Sequence, residues 1–420
     1  MGLQAGQLIL SLSILVIIHE LGHYLTAKWF KCRVEKFYLF FDPWFSLFKK
    51  KVGETEYGVG WLPLGGYVKI AGMIDESMDK EQMNKPPQPW EFRSKPAWQR
   101  LIIMVAGVTM NILLAFFIYS MILLVWGEKK VPVSSMKYGL AFRDSLMFDL
   151  GFKNGDKILA VNDQPVEDYT DIVKKLILGD HVSIERDGSP QTITLPVDLI
   201  GKLVEKKRSR MPLLEPRIPV VVNEVTVSGN ADKAGLQSGD RIIAVNGSPA
   251  VFFDELKNTL EKHKDQTVQV SILRGADTLS LPTDVTAEGT IGFGLVSTIP
   301  DLDSMGILKL QVTRYSVLEA FPAGVKMAGE QLQFYIDQFK KILSPETGAY
   351  KGVGGFKAMG SIFPDSVWDW ESFWRITAFF SIVLAFMNLL PIPALDGGHV
   401  MFTLYEMVSG RKPSDKFLEY

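Results

Sequence analysis

Two histidines and a glutamate stand in the pattern HExxH directly after an uncharged apolar run, residues 1–18. On a helix, His19 and His23 lie four residues apart on one face, so both imidazoles can reach a single Zn²⁺. Glu20 then faces a water molecule at the metal and has the chemistry of a general base. Ionisable residues at membrane depth are costly, which favours a functional role. The alternative is a chance match at a helix end, with the histidines at the membrane interface.

A zinc ion held by two histidines needs a third protein ligand and an open water position to be catalytic. The only cysteine is Cys32, which excludes a cysteine zinc cage and an internal disulfide. Our candidate is Asp396 in the segment NLLPIPALDGGH, because a carboxylate in an apolar segment is costly to bury without a partner. A turn or helix-capping role for this aspartate is the alternative.

Three apolar segments must position these residues: 1–30, 100–127 and 373–408. Each is long enough to cross about 30 Å of hydrocarbon. The first lacks the positive start of a secretory signal peptide, so we predict a retained transmembrane helix. In the third, the prolines and the Gly-Gly pair predict a break in the helix. Such a break at membrane depth is tolerated where the freed backbone lines a cavity or the protein interior.

The composition indicates a chain with membrane and water-facing parts. Of its 420 residues, 47% are hydrophobic, and the formal net charge is -2. That charge gives no sign of the basic surface that nucleic-acid binding requires, so we expect no nucleic acid as a partner. The partner that we expect is the lipid bilayer. Basic residues concentrate in the connection 31–99, which the positive-inside rule places in the cytoplasm. The active site is then expected towards the cytoplasmic side, with the region after residue 127 outside the cytoplasm.

Within this connection, residues 58–70 are apolar and rich in strand-forming residues but too short for a span. We predict a β-hairpin that dips into the membrane. A surface β-hairpin with a Gly-Gly turn is the alternative. The Gly-Gly pair permits close backbone approach, and the residues after it favour an exposed strand edge.

The water-facing region contains an internal repeat, since residues 151–162 realign on 235–246. In each copy a Gly-Asp turn leads into an apolar strand, then a helix and a further strand. The pattern resembles PDZ domains, which bind peptides by strand addition. We therefore predict PDZ-like modules at 131–215 and 216–300. The first has a bulkier lead-in, which argues against peptide binding there.

An amphipathic helix and a Gly-rich loop are predicted for residues 301–372. The apolar positions of 317–343 recur at helical spacing, and we expect this helix to pack on the protein or on the membrane surface. The Gly-rich stretch 352–360 is predicted to be a loop that approaches the last span.

HExxH in the first span, together with NxxPxPxxDGG in the last, resembles the site-2 protease family of intramembrane zinc metalloproteases. The tandem modules and the Gly-Gly-Tyr-Val-Lys hairpin resemble its bacterial branch, the regulator-of-sigma-E proteases. The resemblance covers nearly the whole chain. It implies an α-helical multi-span membrane protein with a membrane-associated β-hairpin and two inserted PDZ-like α/β modules. It also implies residence in the bacterial inner membrane.

The resemblance implies one Zn²⁺ per chain, with His19, His23 and Asp396 as ligands and Glu20 as general base. Asn388 would orient the substrate backbone. The hairpin would pair with an extended substrate, and the modules would filter what enters. Substrates would be single-span membrane proteins, such as anti-sigma factors and signal-peptide remnants, cleaved within their transmembrane segments. The remaining substrate-binding residues would be Gly65, Gly66, Tyr67, Val68, Lys69 and Asn111.

The chain departs from the family pattern at two places. Family members usually carry Gly-Pro before the second-span asparagine, whereas here Gly107 is followed by Val108, so a contact made by that turn is less expected. Members of this branch usually end with a fourth span. Residues 409–420 read as a cytoplasmic tail without one, and a truncated chain is one interpretation.

Two rival functions fit parts of the sequence. One is a membrane-anchored PDZ scaffold with a structural metal, and Glu20 argues against it because a structural site needs no base. The other is a metal transporter that uses the intramembrane ligands as a pathway. Tandem peptide-binding modules and only three spans fit a transporter poorly. Cleavage of a model transmembrane peptide, with and without chelator, would discriminate all three.

Overall fold

The computed structural model describes residues 2–73, 86–205, 212–392 and 395–411. Pro393 of the last motif and residues 412–420 of the predicted tail lie outside this description. The chain divides into two compact units. The first comprises Met1–Gly127, Arg314–Asp337 and Gly354–Tyr420, and the second comprises Glu128–Thr313 and Gln338–Val353.

Three helices of the first unit are long and apolar enough to cross a membrane. They are helix α1 (Gly2–Trp29), helix α2 (Ala97–Val125) and helix α4 (Trp370–Leu389). Helix α3 (Val317–Leu343) follows α2 and precedes α4 along the chain. The expected combination of membrane helices with β-sheet regions is therefore present in the part of the chain that is described.

The third predicted span is two helices. Helix α4 ends at Leu389, before Pro391, and helix α5 (Asp396–Ser409) begins at the aspartate of Asp-Gly-Gly. A break at Pro391 agrees with the prediction, since proline cannot continue the hydrogen-bond ladder. The prediction that the glycines also break the helix is wrong, because they form the first turn of α5. A methyl group on Gly397 would lie 2.0 Å from the carbonyl oxygen of Leu390, so glycine lets the two helix ends approach.

Small and hydroxyl residues bring the membrane helices together, as is usual in membrane bundles. A methyl group on Gly22 of α1 would lie 2.5 Å from the carbonyl oxygen of Ala106 in α2. On α4, the Thr377 hydroxyl donates to Ser11 of α1 at 3.0 Å. These contacts join α1 to both α2 and α4.

Helix α3 matches the predicted amphipathic helix in both bounds. Its Ala328 is buried with residues of α2 and α4, so one face packs on the membrane helices. The Gly-rich stretch predicted as a loop contains a short helix, Phe356–Gly360, and that part of the prediction is wrong. Its glycines lie mostly before this helix, and Gly360 ends it.

Strands β1 (Val34–Val52) and β2 (Thr55–Ile70) both bend and together form a sheet of four stretches. Residues 34–39 lie inside this sheet, antiparallel to 66–70 on one side and parallel to 56–59 on the other. Residues 46–52 form the far edge. Residues 66–70 form the near edge, with no second strand partner among the residues the structure describes.

The second unit contains two sheets of the same design. In each, four strands follow the spatial order second, first, third, fourth. The strands of the first sheet are Lys157–Val161, Gln164–Pro165, His181–Arg186 and Ser189–Thr194. Those of the second are Arg241–Val245, Ser248–Pro249, Thr267–Arg274 and Asp277–Asp284. The sequence repeat therefore corresponds to a structural repeat.

A buried aspartate in the repeated Gly-Asp turn makes the same fork in both copies. Arg186 donates to both oxygens of Asp156 at 2.7 Å, and Arg274 donates to both oxygens of Asp240 at 2.7 Å. The hydrogen bonds from Arg274 lower the pKa of Asp240 below its ordinary value. Each arginine also donates to the carbonyl of the glycine that opens the repeat, so the fork ties the third strand to the turn.

Short strand pairs and helices complete the second unit. The paired strands are Glu128–Lys130 with Gln311–Thr313, Leu140–Phe142 with Leu214–Pro216, and Val222–Val225 with Phe293–Leu295. The helices are Ser145–Asp149, Ile172–Leu178, Leu199–Glu205, Asn230–Lys233, Phe253–Glu261 and Ile299–Ser304. Across the described residues, 3₁₀ turns are Phe92–Ser94, Val133–Ser135, Tyr169–Asp171, Pro345–Thr347 and Ala349–Gly352.

Candidate metal centre

The two histidines of HExxH lie one turn apart on α1 and face α2. Both side chains are buried, and their Nε2 atoms are 3.2 Å apart. The Nδ1 atom of His23 lies 2.8 Å from the carbonyl oxygen of Ile103 on α2. Since a carbonyl only accepts, Nδ1 of His23 carries a proton and donates it there.

The first residue of α5 completes the cluster. Asp396 Oδ2 lies 3.0 Å from Nε2 of His19 and 3.3 Å from Nε2 of His23. One potential ligand atom from each residue falls within 4.8 Å of the others. The structure therefore brings together the three residues that the sequence pointed to, although Asp396 stands far along the chain from the histidines.

The protonation of this cluster tests whether it fits a cation. Two protonated Nε2 atoms cannot face each other at 3.2 Å, so at least one imidazole presents a lone pair to the others. Apart from these two Nε2 atoms, the buried Oδ2 of Asp396 has no hydrogen-bond partner among the described residues. When both Nε2 atoms present lone pairs, three acceptors converge without a donor, which is costly in a buried site. A cation removes that cost, and two imidazole nitrogens with one carboxylate oxygen form a zinc donor set.

Glu20 lies beside this cluster. Its carboxylate interacts electrostatically with both histidines and with Asp396. The backbone N–H of Val68, in the near edge of the β-sheet, lies within hydrogen-bonding reach of the same carboxylate. The backbone of residues 66–70 therefore contacts the candidate general base directly.

The other hairpin residues that we singled out are packed into the sheet or against α1. A methyl group on Gly66 would lie 2.6 Å from Val16, so this glycine permits the close approach to α1. The Tyr67 hydroxyl donates to Asp42 at 2.8 Å, and Lys69 pairs with Glu35. A methyl group on Gly65 would lie 2.8 Å from the ring of Phe41, so no side chain fits at this position. At this edge of the sheet, the strand therefore presents its backbone groups.

The two asparagines lie on different sides of His19. Asn388, in the last turn of α4, places its amide Nδ2 3.4 Å from Nε2 of His19, on the side of the candidate ligands. Asn111, on α2, places its amide Nδ2 3.1 Å from Nδ1, behind the ring. Only Asn388 is therefore near the position where a substrate carbonyl would meet the metal.

Two features that position the site, the glycine Gly107 and the pair of Arg100 with Glu406, were not singled out from the sequence. A methyl group on Gly107 of α2 would lie 2.4 Å from Nε2 of His23, so this glycine opens the space that the imidazoles occupy. Arg100 pairs with Glu406 at 2.6 Å and joins the start of α2 to α5. Two signals in the sequence could have indicated them. One was a glycine inside an apolar span, and the other was the charges near the ends of two apolar segments.

Comparisons with known proteins cover nearly the whole chain. The model of peptidase family M50 matches residues 7–420. A relative from Neisseria meningitidis serogroup A, whose name describes a zinc metalloprotease, is 28% identical, with 96% of this chain and 91% of the relative covered. The regulator of sigma E protease of Salmonella typhi is 26% identical, with 98% and 92% covered. That of Haemophilus influenzae is 25% identical, with 98% and 92% covered.

Proposed function

The chain belongs to peptidase family M50, and from this premise we propose that its metal centre hydrolyses peptide bonds within the transmembrane segments of single-span membrane proteins. The chain is an intramembrane zinc metalloprotease. We assign one zinc ion to His19, His23 and Asp396. The observation that carries the assignment is the convergence of two Nε2 atoms of α1 and the buried Oδ2 of Asp396 at the start of α5.

The residues around the centre divide the chemistry between them. When bound, the zinc ion lowers the pKa of a water molecule and polarises the scissile carbonyl. Glu20 takes the proton of that water and delivers it to the leaving nitrogen. Asn388 donates from its amide to the substrate backbone, which its position beside Nε2 of His19 supports. The buried faces of α1, α2 and α4 keep bulk water away from both residues.

A transmembrane helix satisfies its own backbone, so its scissile bond must first be unwound. We propose that residues 66–70 hold the unwound segment as an added strand, because this edge has one strand partner within the described residues and lies beside Glu20. Gly66 lets the start of the strand pack closely against α1. Substrate backbone paired here would be extended next to the base.

The clamp predicts a selective defect for Val68→Pro. Proline removes the backbone N–H that faces Glu20, which is the donor that residue 68 contributes to this edge. We expect cleavage of a helical substrate to fall by about tenfold, the loss of one or two hydrogen bonds. A substrate with helix-breaking residues near the scissile bond should lose less. Initial cleavage rates of both substrates in detergent measure the difference.

Two variants separate this effect from damage to the sheet. Val68→Ala keeps the N–H and should cleave both substrates nearly as the parent does. Phe48→Pro places proline in the far edge of the sheet, at a position that pairs with Val59. It should leave the ratio of the cleavage rates of the two substrates unchanged. Equal losses on both substrates would indicate general misfolding, and an unchanged Val68→Pro would reject the clamp.

We propose anti-sigma factors and signal-peptide remnants as substrates, which the name of the Salmonella relative supports for the first class. We place the protein in a bacterial inner membrane with its active site towards the cytoplasm. The basic connection between the first two spans supports that orientation. We propose that the repeated sheets are PDZ-like modules outside the cytoplasm that exclude bulky substrates until they are trimmed.

The filter predicts that removal of the modules broadens cleavage. Lys130 pairs with Gln311, so a short Gly-Ser linker can replace residues 131–310 and preserve that ladder. The shortened chain should cleave a substrate carrying a large folded outer domain, which the parent excludes. Both chains should cleave a short substrate at similar rates. A folded deletion variant that cleaves the short substrate and still excludes the large one would contradict the filter.

Metal removal tests the function as a whole. A purified chain with about one zinc should cleave a model transmembrane peptide, lose cleavage with chelator and regain it with Zn²⁺. Asp396→Asn should lose zinc and cleavage together, because an amide is a poor substitute for the carboxylate ligand. Peptide binding without cleavage would favour the scaffold, and zinc uptake by vesicles would favour the transporter.

A further inference from the structure

Asn111 is a buried polar residue whose amide is directed at a metal-site imidazole from behind. Its side chain is fully buried at 0% exposure, and its Nδ2 lies 3.1 Å from Nδ1 of His19. Its Oδ1 is buried without a donor among the described residues. A buried amide with an unmet oxygen requires an explanation, since such groups are normally paired.

The tautomer of His19 supplies that explanation. A neutral imidazole that offers Nε2 to a metal carries its proton on Nδ1, and Nδ1 then needs an acceptor. The amide nitrogen cannot accept. A half-turn of the Asn111 amide exchanges its oxygen and nitrogen, which are nearly equal in size, and presents Oδ1 to the Nδ1 proton.

The second histidine has the same arrangement. Nδ1 of His23 donates to the carbonyl oxygen of Ile103 at 2.8 Å, and its Nε2 faces the candidate ligand cluster. Ile103 and Asn111 both belong to α2. One helix therefore stands behind both rings and can supply one acceptor to each.

The backbone at Asn111 is held in place independently of its amide. The Ser381 hydroxyl of α4 donates to the Asn111 carbonyl oxygen at 2.7 Å, and both residues are fully buried. The amide therefore extends from a fixed point towards His19. Full burial also leaves it no surface for a substrate, in contrast to the role first expected for it.

We infer that Asn111 is a positioning residue of the metal centre: its amide oxygen accepts the Nδ1 proton of His19 and thereby directs Nε2 to the metal. The inference rests on the proposed zinc site. Outer hydrogen-bond partners of this kind fix ring orientation and tautomer, and their loss costs about 10- to 100-fold in metal affinity.

The test compares zinc affinity in the full-length chain by chelator competition. Asn111→Leu replaces the amide by an apolar group of similar size, and zinc affinity should fall by about 10- to 100-fold. Asn111→Asp keeps an acceptor oxygen and should restore most of the affinity. With Co²⁺ in place of zinc, the visible absorption of Asn111→Leu should shift, whereas that of Asn111→Asp should stay close to the parent.

Two controls separate positioning from packing. Ser381→Ala breaks the buried hydrogen bond to the same residue but leaves the amide on His19, so the unfolding temperature should fall while zinc affinity stays within about threefold. Thr109→Val alters an exposed position two residues away and should change neither. If Asn111→Leu unfolds, the metal affinity of Asn111→Asp and Ser381→Ala still decides the question.

The outcomes separate this inference from the proposed function. A parent chain without bound zinc would overturn the metal centre itself. A parent that binds zinc, together with an Asn111→Leu variant of equal affinity and unchanged cobalt spectrum, would overturn only the positioning role. Equal weakening by Ser381→Ala and Asn111→Leu, or no rescue by Asn111→Asp, would also overturn it, because packing would then explain the loss.

Discussion

Replacement of Glu20 by glutamine is expected to leave zinc bound and to lower the single-turnover rate of peptide cleavage by about 10²- to 10⁴-fold, the usual contribution of a general base. Glutamine keeps the shape of the side chain but cannot take the proton of the attacking water. It also keeps an oxygen that can accept the Val68 N–H, so the edge strand should stay in place. The substrate should therefore bind and remain intact.

Zinc content, substrate binding and cleavage must be measured on the same Glu20→Gln preparation. Ser13→Ala, on the same helix, removes an exposed hydroxyl that donates to the carbonyl of Ile9 within that helix, and it should match the parent in all three measurements. Parental cleavage by Glu20→Gln would reject the base. Loss of zinc together with cleavage would assign Glu20 to the integrity of the site instead.

The local part of the candidate site could be predicted from the sequence because helix geometry is periodic. The spacing of four residues from His19 to His23 determines that they share a face, whatever the helix packs on. Asp396 could be found because a carboxylate in an apolar, proline-broken segment needs a partner, and the family motif indicated the same residue. That it lies 3.0 Å from His19 depends on how α5 folds back, which no local pattern specifies.

The side of His19 that each asparagine occupies could not be predicted. Asn111 and Asn388 both stand in apolar helices, and the sequence gives their spacing along each helix but not the rotation of one helix against another. That rotation is set by close contacts such as Gly22 against Ala106 and Ser381 against the backbone of α2. Such contacts involve residues far apart in the chain, so they are visible only in the folded structure.

The hairpin shows a similar limit. Its strand-forming residues predicted a hairpin, but not that each strand bends and pairs twice. Two non-glycine residues with positive φ, Phe40 and Trp44, flank the bend in β1, and neither is a residue type that marks a turn. In the second unit, the repeat predicted two equivalent sheets. The arginine forks were missed because the aspartate-to-arginine spacing is 30 residues in one copy and 34 in the other.

Gly107 provides the second large effect, because it lies where α2 crosses the two imidazoles. A methyl group there would be 2.4 Å from Nε2 of His23 and 2.8 Å from Nε2 of His19. Carbon in van der Waals contact needs about 3.5 Å, so either the helices separate or the rings turn away. Misplacement of reacting groups by 1 Å can cost about 100-fold. Gly107→Val should therefore lose at least about 100-fold in zinc affinity and in cleavage rate.

Zinc titration and peptide cleavage check this expectation, and Gly6→Val is the matched control. Gly6 lies in α1, and nothing lies within 4 Å of a methyl group placed on it. The control should keep zinc and cleavage, whereas Gly107→Val should lose both even if it folds. Separation of the helices would cost the close packing of Gly22 against Ala106, which directly precedes Gly107. Tight zinc binding by Gly107→Val would mean that α1 and α2 can move apart without displacing the imidazoles. The positions of the imidazoles would then not depend on the close crossing of the two helices.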